Sequence, residues 1–249
     1  MKNAVFTGVL ALFTITLSAQ YSGQIPTNTT TGGSSDMGAV SGAISSLLGP
    51  INEADQKRQI NYDEFRGSPY TSYDFKSTKL FYKDELVGEI FYRFNSLNQE
   101  IEIKTTNSQD EGIRALGRDK EIAITIDGKP MSFKTFIDKT DRTTNGYLIT
   151  LVDTGEYKLY KRYHATFQEG LKAPNSFAKD VPAKFTQYVE YYLEREGANR
   201  VDYIKLKKGS VLKTVSNEKR DALKDYIKDN ELNLRKEGDL VAVIRFLNS

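Results

Sequence analysis

The sequence predicts a mainly β chain of the α+β class: an antiparallel meander forming a curved sheet, sandwich or partial barrel, with two C-terminal helices. Three observations predict it. From residue 62 onward apolar and polar residues alternate with a period of two, as Ile122, Ile124 and Ile126 do with Ala123 and Thr125. Tight polar turns such as Asp127-Gly128 separate the runs, too closely for the long crossovers that parallel strands need. After residue 216 the spacing becomes helical, with Ala222, Leu223, Tyr226 and Ile227 on one face.

The elements follow in order. Lys2, an apolar run over residues 4–17 and Ser18-Ala19 have the layout of a secretory signal peptide over residues 1–19. The run is too short for a comfortable membrane span. Residues 20–60 are expected to be a flexible linker containing a short helix, because residues 20–36 are rich in Ser, Thr, Gly and Asn. The helix rests on Met37, Val40, Ile44, Leu47 and Leu48, which with Ile51 recur at helical spacing within residues 37–51. Two readings stand open: a short helix that packs on the body of the protein or does not form at all, or a tethered anchor docking on a partner protein or a membrane surface.

Residues 61–249 are expected to form a single β-rich domain. Residues 80–82 and 87–94 flank Lys83-Asp84-Glu85-Leu86, read as a hairpin turn. Residues 101–104 and 122–126 alternate. Residues 147–152 and 157–163 are joined by Asp153-Thr154-Gly155-Glu156. Residues 189–193 lead through Gly197 to a strand over 201–206, and Lys208-Gly209 precedes another short run at 211–215. Eight to ten such strands should curl into a sandwich or partial barrel. Ser216 is a plausible N-cap, with Glu218 where the helix dipole favours an acid. Leu240, Val243, Ile244 and Leu247 mark the second helix.

Composition narrows the chemistry. The 249 residues are 39% hydrophobic and 27% charged, with 35 basic against 33 acidic side chains, a balance that gives no support for a nucleic-acid partner. The absence of cysteine excludes disulfides, zinc–thiolate centres, thiol catalysis and a lipidated N-terminal cysteine. One histidine, His164, excludes a site that needs two from one chain. No cofactor or metal site is expected.

Several motifs are weighed against plainer readings. Asp153-Thr154-Gly155 resembles the triplet of aspartic proteases, but Glu156 follows the glycine and a strand begins at once, so a hairpin turn is the better reading. His164 lacks a signalled nucleophile and reads as structural. The acids Asp110, Glu111, Asp119 and Asp141 lack the spacing of a calcium loop. Lys205, Lys207, Lys208, Lys213, Lys219 and Arg220 form a basic cluster that blunts strand ends or meets anionic headgroups. The tyrosines at 157, 160, 163, 188, 191, 192 and 203 either line a groove or pack across strands.

Gly67-Ser68-Pro69-Tyr70, the Tyr- and Phe-rich hairpins, and the closing Asp225-Tyr226-Ile227-Lys228-Asp229-Asn230 with Asp239-Leu240 resemble exported, β-rich envelope proteins of the Bacteroidota. That resemblance covers residues 60–249, carries no catalytic residue, and implies an envelope location. Cargo of the type IX secretion route ends in a β-sandwich, whereas this chain is expected to end in a helix. A periplasmic location, at the inner face of the outer membrane, is therefore expected. The leading functional expectation is a non-enzymatic periplasmic interaction protein, an accessory subunit of an outer-membrane assembly with an envelope protein partner. The alternatives are a carrier of a hydrophobic ligand such as a lipid or lipidated protein, and a carboxylate-dependent hydrolase.

Overall fold

A computed structural model describes Gly42 and residues 44–49, 65–173, 175, 177 and 179–249. All belong to one of the chain's two compact units, Gly33–Ser249. The signal segment, residues 20–36, Met37 and Val40 lie outside the described residues.

Among the described residues the strands are β1 (Leu48–Gly49), β2 (Lys76–Tyr82), β3 (Glu85–Asn95), β4 (Glu100–Lys104), β5 (Arg114–Leu116) and β6 (Ile122–Ile126). They continue with β7 (Lys129–Ile137), β8 (Thr143–Val152), β9 (Tyr157–Gln168), β10 (Lys184–Arg195) and β11 (Val201–Tyr203). Three helices close the chain: α1 (Lys208–Thr214), α2 (Asn217–Asp229) and α3 (Glu237–Leu247). The expected mainly β architecture with C-terminal helices is the one observed.

The strands form one sheet in the order β1-β5-β4-β3-β2-β6-β7-β11-β10-β9-β8, with a further β7–β8 pairing. Its hairpins are set by turn chemistry. Lys83 and Asp84 both take positive φ (52° and 64°), as do Asp127 and Gly128 (50° and 75°). Paired left-handed residues match the twist of the flanking strands.

The second half of the sheet curls back on itself. β7 pairs antiparallel with β8 and meets β11 in parallel at Ile137 and Asp202, so β7, β8, β9, β10 and β11 close into a ring. Phe136, Leu148, Tyr160, Tyr192 and Val201, one from each ring strand, form their own buried cluster. Side chains alternate between the two faces of a strand. In β7 to β10 these residues lie opposite their neighbours Met131, Ile149, Leu159, Tyr191 and Leu193, which join the main core. The small cluster therefore fills the inside of the ring. The main core lies outside it: Leu223, Ile227, Leu240 and Val243 of α2 and α3 belong to one buried cluster with sheet residues including Leu80, Ile124 and Met131, and α3 lies against β8 and β9. Expelling water from this interface is the dominant favourable term in folding.

Three local expectations change. Residues 211–215 are not a strand: Val211 lies in α1, with Val215 as its C-cap. Both are buried in the main core. An (i, i+4) pair shares a helical face, whereas a strand would put exposed Lys213 on the same face as both valines. Residues 44–46 are helical, but the chain then turns and Leu48 pairs with Leu116, so the apolar spacing through residue 51 ends in a strand. Ser216 holds the N-cap position of α2 without a side-chain capping bond.

Candidate interaction site

Among the described residues the most exposed large apolar side chains, Phe177 and Leu171, belong to the hairpin of β9 and β10, which extends beyond the ring as an arm. The register pairs Phe167 with Phe185 and Gln168 with Lys184. One further rung follows, in which Leu171 and Val181 exchange two backbone hydrogen bonds of 2.8 Å each. These odd-numbered residues share one face. Phe65 joins Phe167 and Phe185 there, with ring centroids 4.9–5.7 Å apart. Arg66 adds a parallel rung beside Lys184, donating its N–H to the Ala183 carbonyl and accepting from the Phe185 N–H.

The arm narrows at Gly170. A Cβ there would stand 2.7 Å from the Val181 carbonyl oxygen and 2.8 Å from the Ala183 nitrogen. Glycine thus allows the strands to come close enough for the outer rung. Beyond it Leu171 is 66% exposed and Phe177 98% exposed. Asp180 ties the tip by accepting the Ala173 N–H at 2.7 Å, and Asn175 accepts the Phe177 N–H at 3.1 Å. Lys172, Lys179 and Lys184 are exposed around it.

A charged cluster fastens the root of the arm. Glu190 is buried, 7% exposed, and its carboxylate gathers the Tyr192 hydroxyl at 2.8 Å, Arg162 at 3.4 Å and Lys139 at 3.4 Å. His164, paired with Tyr188 across the hairpin, stacks on it with centroids 5.0 Å apart. Its Nδ1 is buried, makes no hydrogen bond, and lies 3.7 Å from Glu190. Burial pushes the imidazole below its ordinary pKa; Glu190 opposes this, while Arg162 and Lys139 reinforce it. Burial and the bond to Glu190 push the Tyr192 phenol up. Arg162 also donates to Gln99 at 3.3 Å, and Gln99 donates to the carbonyls of Ser96 and Tyr163. The cluster thus couples the ring to the β3–β4 turn, and its chemistry is that of a fastening.

The residues singled out from sequence fall elsewhere. Ile44 and Leu47 are buried in the main core, and Leu48 packs against it while pairing with β5. The apolar surface of Ile44 and Leu47 is taken up by the chain itself. Met37 and Val40 lie outside the described residues. Half of the basic cluster bonds within the fold. Lys219 bonds Glu156 and the Leu247 carbonyl, Arg220 bonds the carbonyls of Leu212 and Val215, and Lys208 bonds that of Lys224. Tyr157, Tyr160, Tyr191 and Tyr192 are buried in packing, Tyr163 and Tyr203 are partly buried, and Tyr188 is exposed.

Two of the loop acids are engaged, Asp119 by accepting the Glu121 N–H at 2.9 Å. Glu111 accepts the N–H and hydroxyl of both Thr105 and Thr106 at 2.6–2.7 Å. Burial pushes that carboxyl up, but the four bonds outweigh it and hold its pKa at about 2. Among the described residues no three His, Asp or Glu side chains converge as a metal site, and no helix is long and apolar enough to cross a membrane.

The arm was missed in the sequence because its apolar residues are sparse. Phe167, Leu171, Phe177 and Val181 sit among Gly170, Pro174 and Pro182, which read as loop. The available signal was the matched spacing of Phe167 and Leu171 against Val181 and Phe185, each four apart. In comparisons with known proteins, no family model, curated protein or solved structure matches the chain.

Proposed function

We propose that this chain is a non-enzymatic interaction protein of the cell envelope, an accessory subunit of an outer-membrane assembly, and that the β9–β10 arm is its contact element. The observation that supports this reading is the arm itself: a ribbon projecting from a well-packed body with Leu171, Phe177 and Val181 uncovered. A two-stranded ribbon gains little stability alone. Covering a Phe, Leu or Val side chain contributes about 1.5–3 kcal/mol, so these positions favour association.

The alternatives draw less support. A carrier needs room between sheet and helices, and that space is filled by Met131, Leu159, Leu240 and Val243, none of them accessible. The carboxylate of a hydrolase would have to be activated, yet Asp153 sits exposed in a hairpin turn.

Purification of the native protein from its own envelope in mild detergent, followed by mass spectrometry, tests the reading. A stoichiometric protein partner is expected. A protein that leaves the envelope in buffer alone and purifies as a single species sinks it. Deleting residues 20–52 would be a poorer test, since it also removes Ile44 and Leu47 from the core.

A further inference from the structure

We propose that the tip of the β9–β10 arm seats in an anionic lipid surface. This rests on the reading of the arm as the contact element and names what it contacts. Phe177, 98% exposed, stands at the tip with its ring supported on no side by the chain. Behind it the Leu171–Val181 rung offers a second apolar step. Around these residues the arm carries exposed Lys172, Lys179 and Lys184 against Glu169 and Asp180, three basic groups to two acidic ones, and exposed Arg66 lies alongside on the neighbouring segment. The Asp180 carboxylate is turned inward onto the Ala173 N–H.

Apolar side chains at a tip, with lysines just behind them, match the layering of a bilayer surface. The Phe ring reaches the boundary of headgroups and acyl chains, and the ammonium groups stay at the level of the phosphates. Each lysine near an anionic surface adds attraction that salt screens. Gly170 permits the outer rung, and Arg66 adds a backbone rung at Lys184, so the strands behind the tip are paired up to Leu171 and Val181.

The test is co-flotation of the full chain with vesicles of phosphatidylcholine alone and of phosphatidylcholine mixed with phosphatidylglycerol. Wild type is compared with Phe177→Ser and with the double variant Lys172→Gln/Lys179→Gln. All three share the same N-terminal segment, so a difference between them reads the arm. Wild type is expected to float with the anionic vesicles and to be released by salt. Phe177→Ser should lower the bound fraction by about tenfold, and the lysine pair should lower it on anionic vesicles only. Position 177 is fully exposed, so folding is not at risk, and an unchanged melting curve verifies this.

Equal flotation of wild type and Phe177→Ser, or no flotation of wild type, overturns the proposal. So does loss of a protein partner on Phe177→Ser when no vesicle binding is seen, which would make the arm a protein-binding element. In those cases a stoichiometric partner in the envelope preparation leaves the interaction reading standing. Absence of both partner and envelope association fails that reading as well.

Discussion

Asn248 occupies the space that a side chain at Gly155 would need. A Cβ on Gly155 would lie 2.4 Å from the Asn248 Cγ, and Gly155 has φ of +93°. From that position Asn248 accepts the Tyr157 N–H at 2.8 Å and donates to the carbonyls of Thr154 and Tyr157 at 2.7 and 2.8 Å. The residue after α3 thus staples the C-terminal helix to the β8–β9 turn. It also explains the Asp153-Thr154-Gly155 motif: the glycine is there for its backbone and for the amide that covers it.

Gly155→Ala should destabilise the protein by about 2–4 kcal/mol, from left-handed backbone strain plus the clash. Asn248→Ala should cost about 1–3 kcal/mol, because backbone groups lose their partners. Together the two should cost less than their sum, since removing Asn248 relieves the clash. Chemical denaturation of the four proteins measures the coupling, and strict additivity would contradict the staple.

Gly170→Ala should act locally. The new Cβ would push on the Val181 carbonyl, open the Leu171–Val181 rung, and leave the main core intact. Hydrogen exchange at the amides of Leu171 and Val181 should quicken while the melting temperature moves little. A large drop in melting temperature would mean that the arm is integral to the core.

Acidification should weaken the protein partly through His164. Its folded pKa lies below the ordinary value of 6.5, so the unfolded chain takes up a proton that the folded chain resists. That contribution is complete above the ordinary value and is lost as pH falls from there toward the folded one. His164→Gln should therefore show a smaller loss of stability between about pH 8 and about pH 5. The groups facing the ring are Glu190, Arg162, Lys139 and Tyr188, none altered by this variant. Parallel stability–pH curves for the two proteins would refute the assignment.

Ile44→Ala should cost about 2–4 kcal/mol, because the side chain is 2% exposed within the main core. Thermal melting measures it. A neutral effect would mean that residues 44–47 are dispensable to the fold and free to act as a tether.

Hairpins with local signals were legible in the sequence. Lys83-Asp84 and Asp127-Gly128 declare their turns, and the Ala222, Leu223, Tyr226 and Ile227 spacing declares α2. β7 was not legible, although it closes the ring. Met131 and Phe133 face the main core while Phe136 faces the inside of the ring, so both faces of the strand carry bulky apolar groups and the alternation disappears. Pro130 near its start strengthens the appearance of a loop. The charged fastening was hidden for another reason. Arg162 and Glu190 face each other across the β9–β10 hairpin, but Lys139 reaches them through ring closure and Gln99 from the β3–β4 turn, and nothing in the linear order of the chain places these side by side.

The final helix sets the timing of folding. Leu240, Val243, Ile244 and Leu247 lie at 0–2% exposure against the sheet, so the apolar layer is sealed only once the C-terminal residues arrive. A chain made, or threaded through a pore, from its N-terminus first must carry that uncovered surface through almost its whole passage. Until α3 docks, the apolar face of the sheet stays open to contact with other chains.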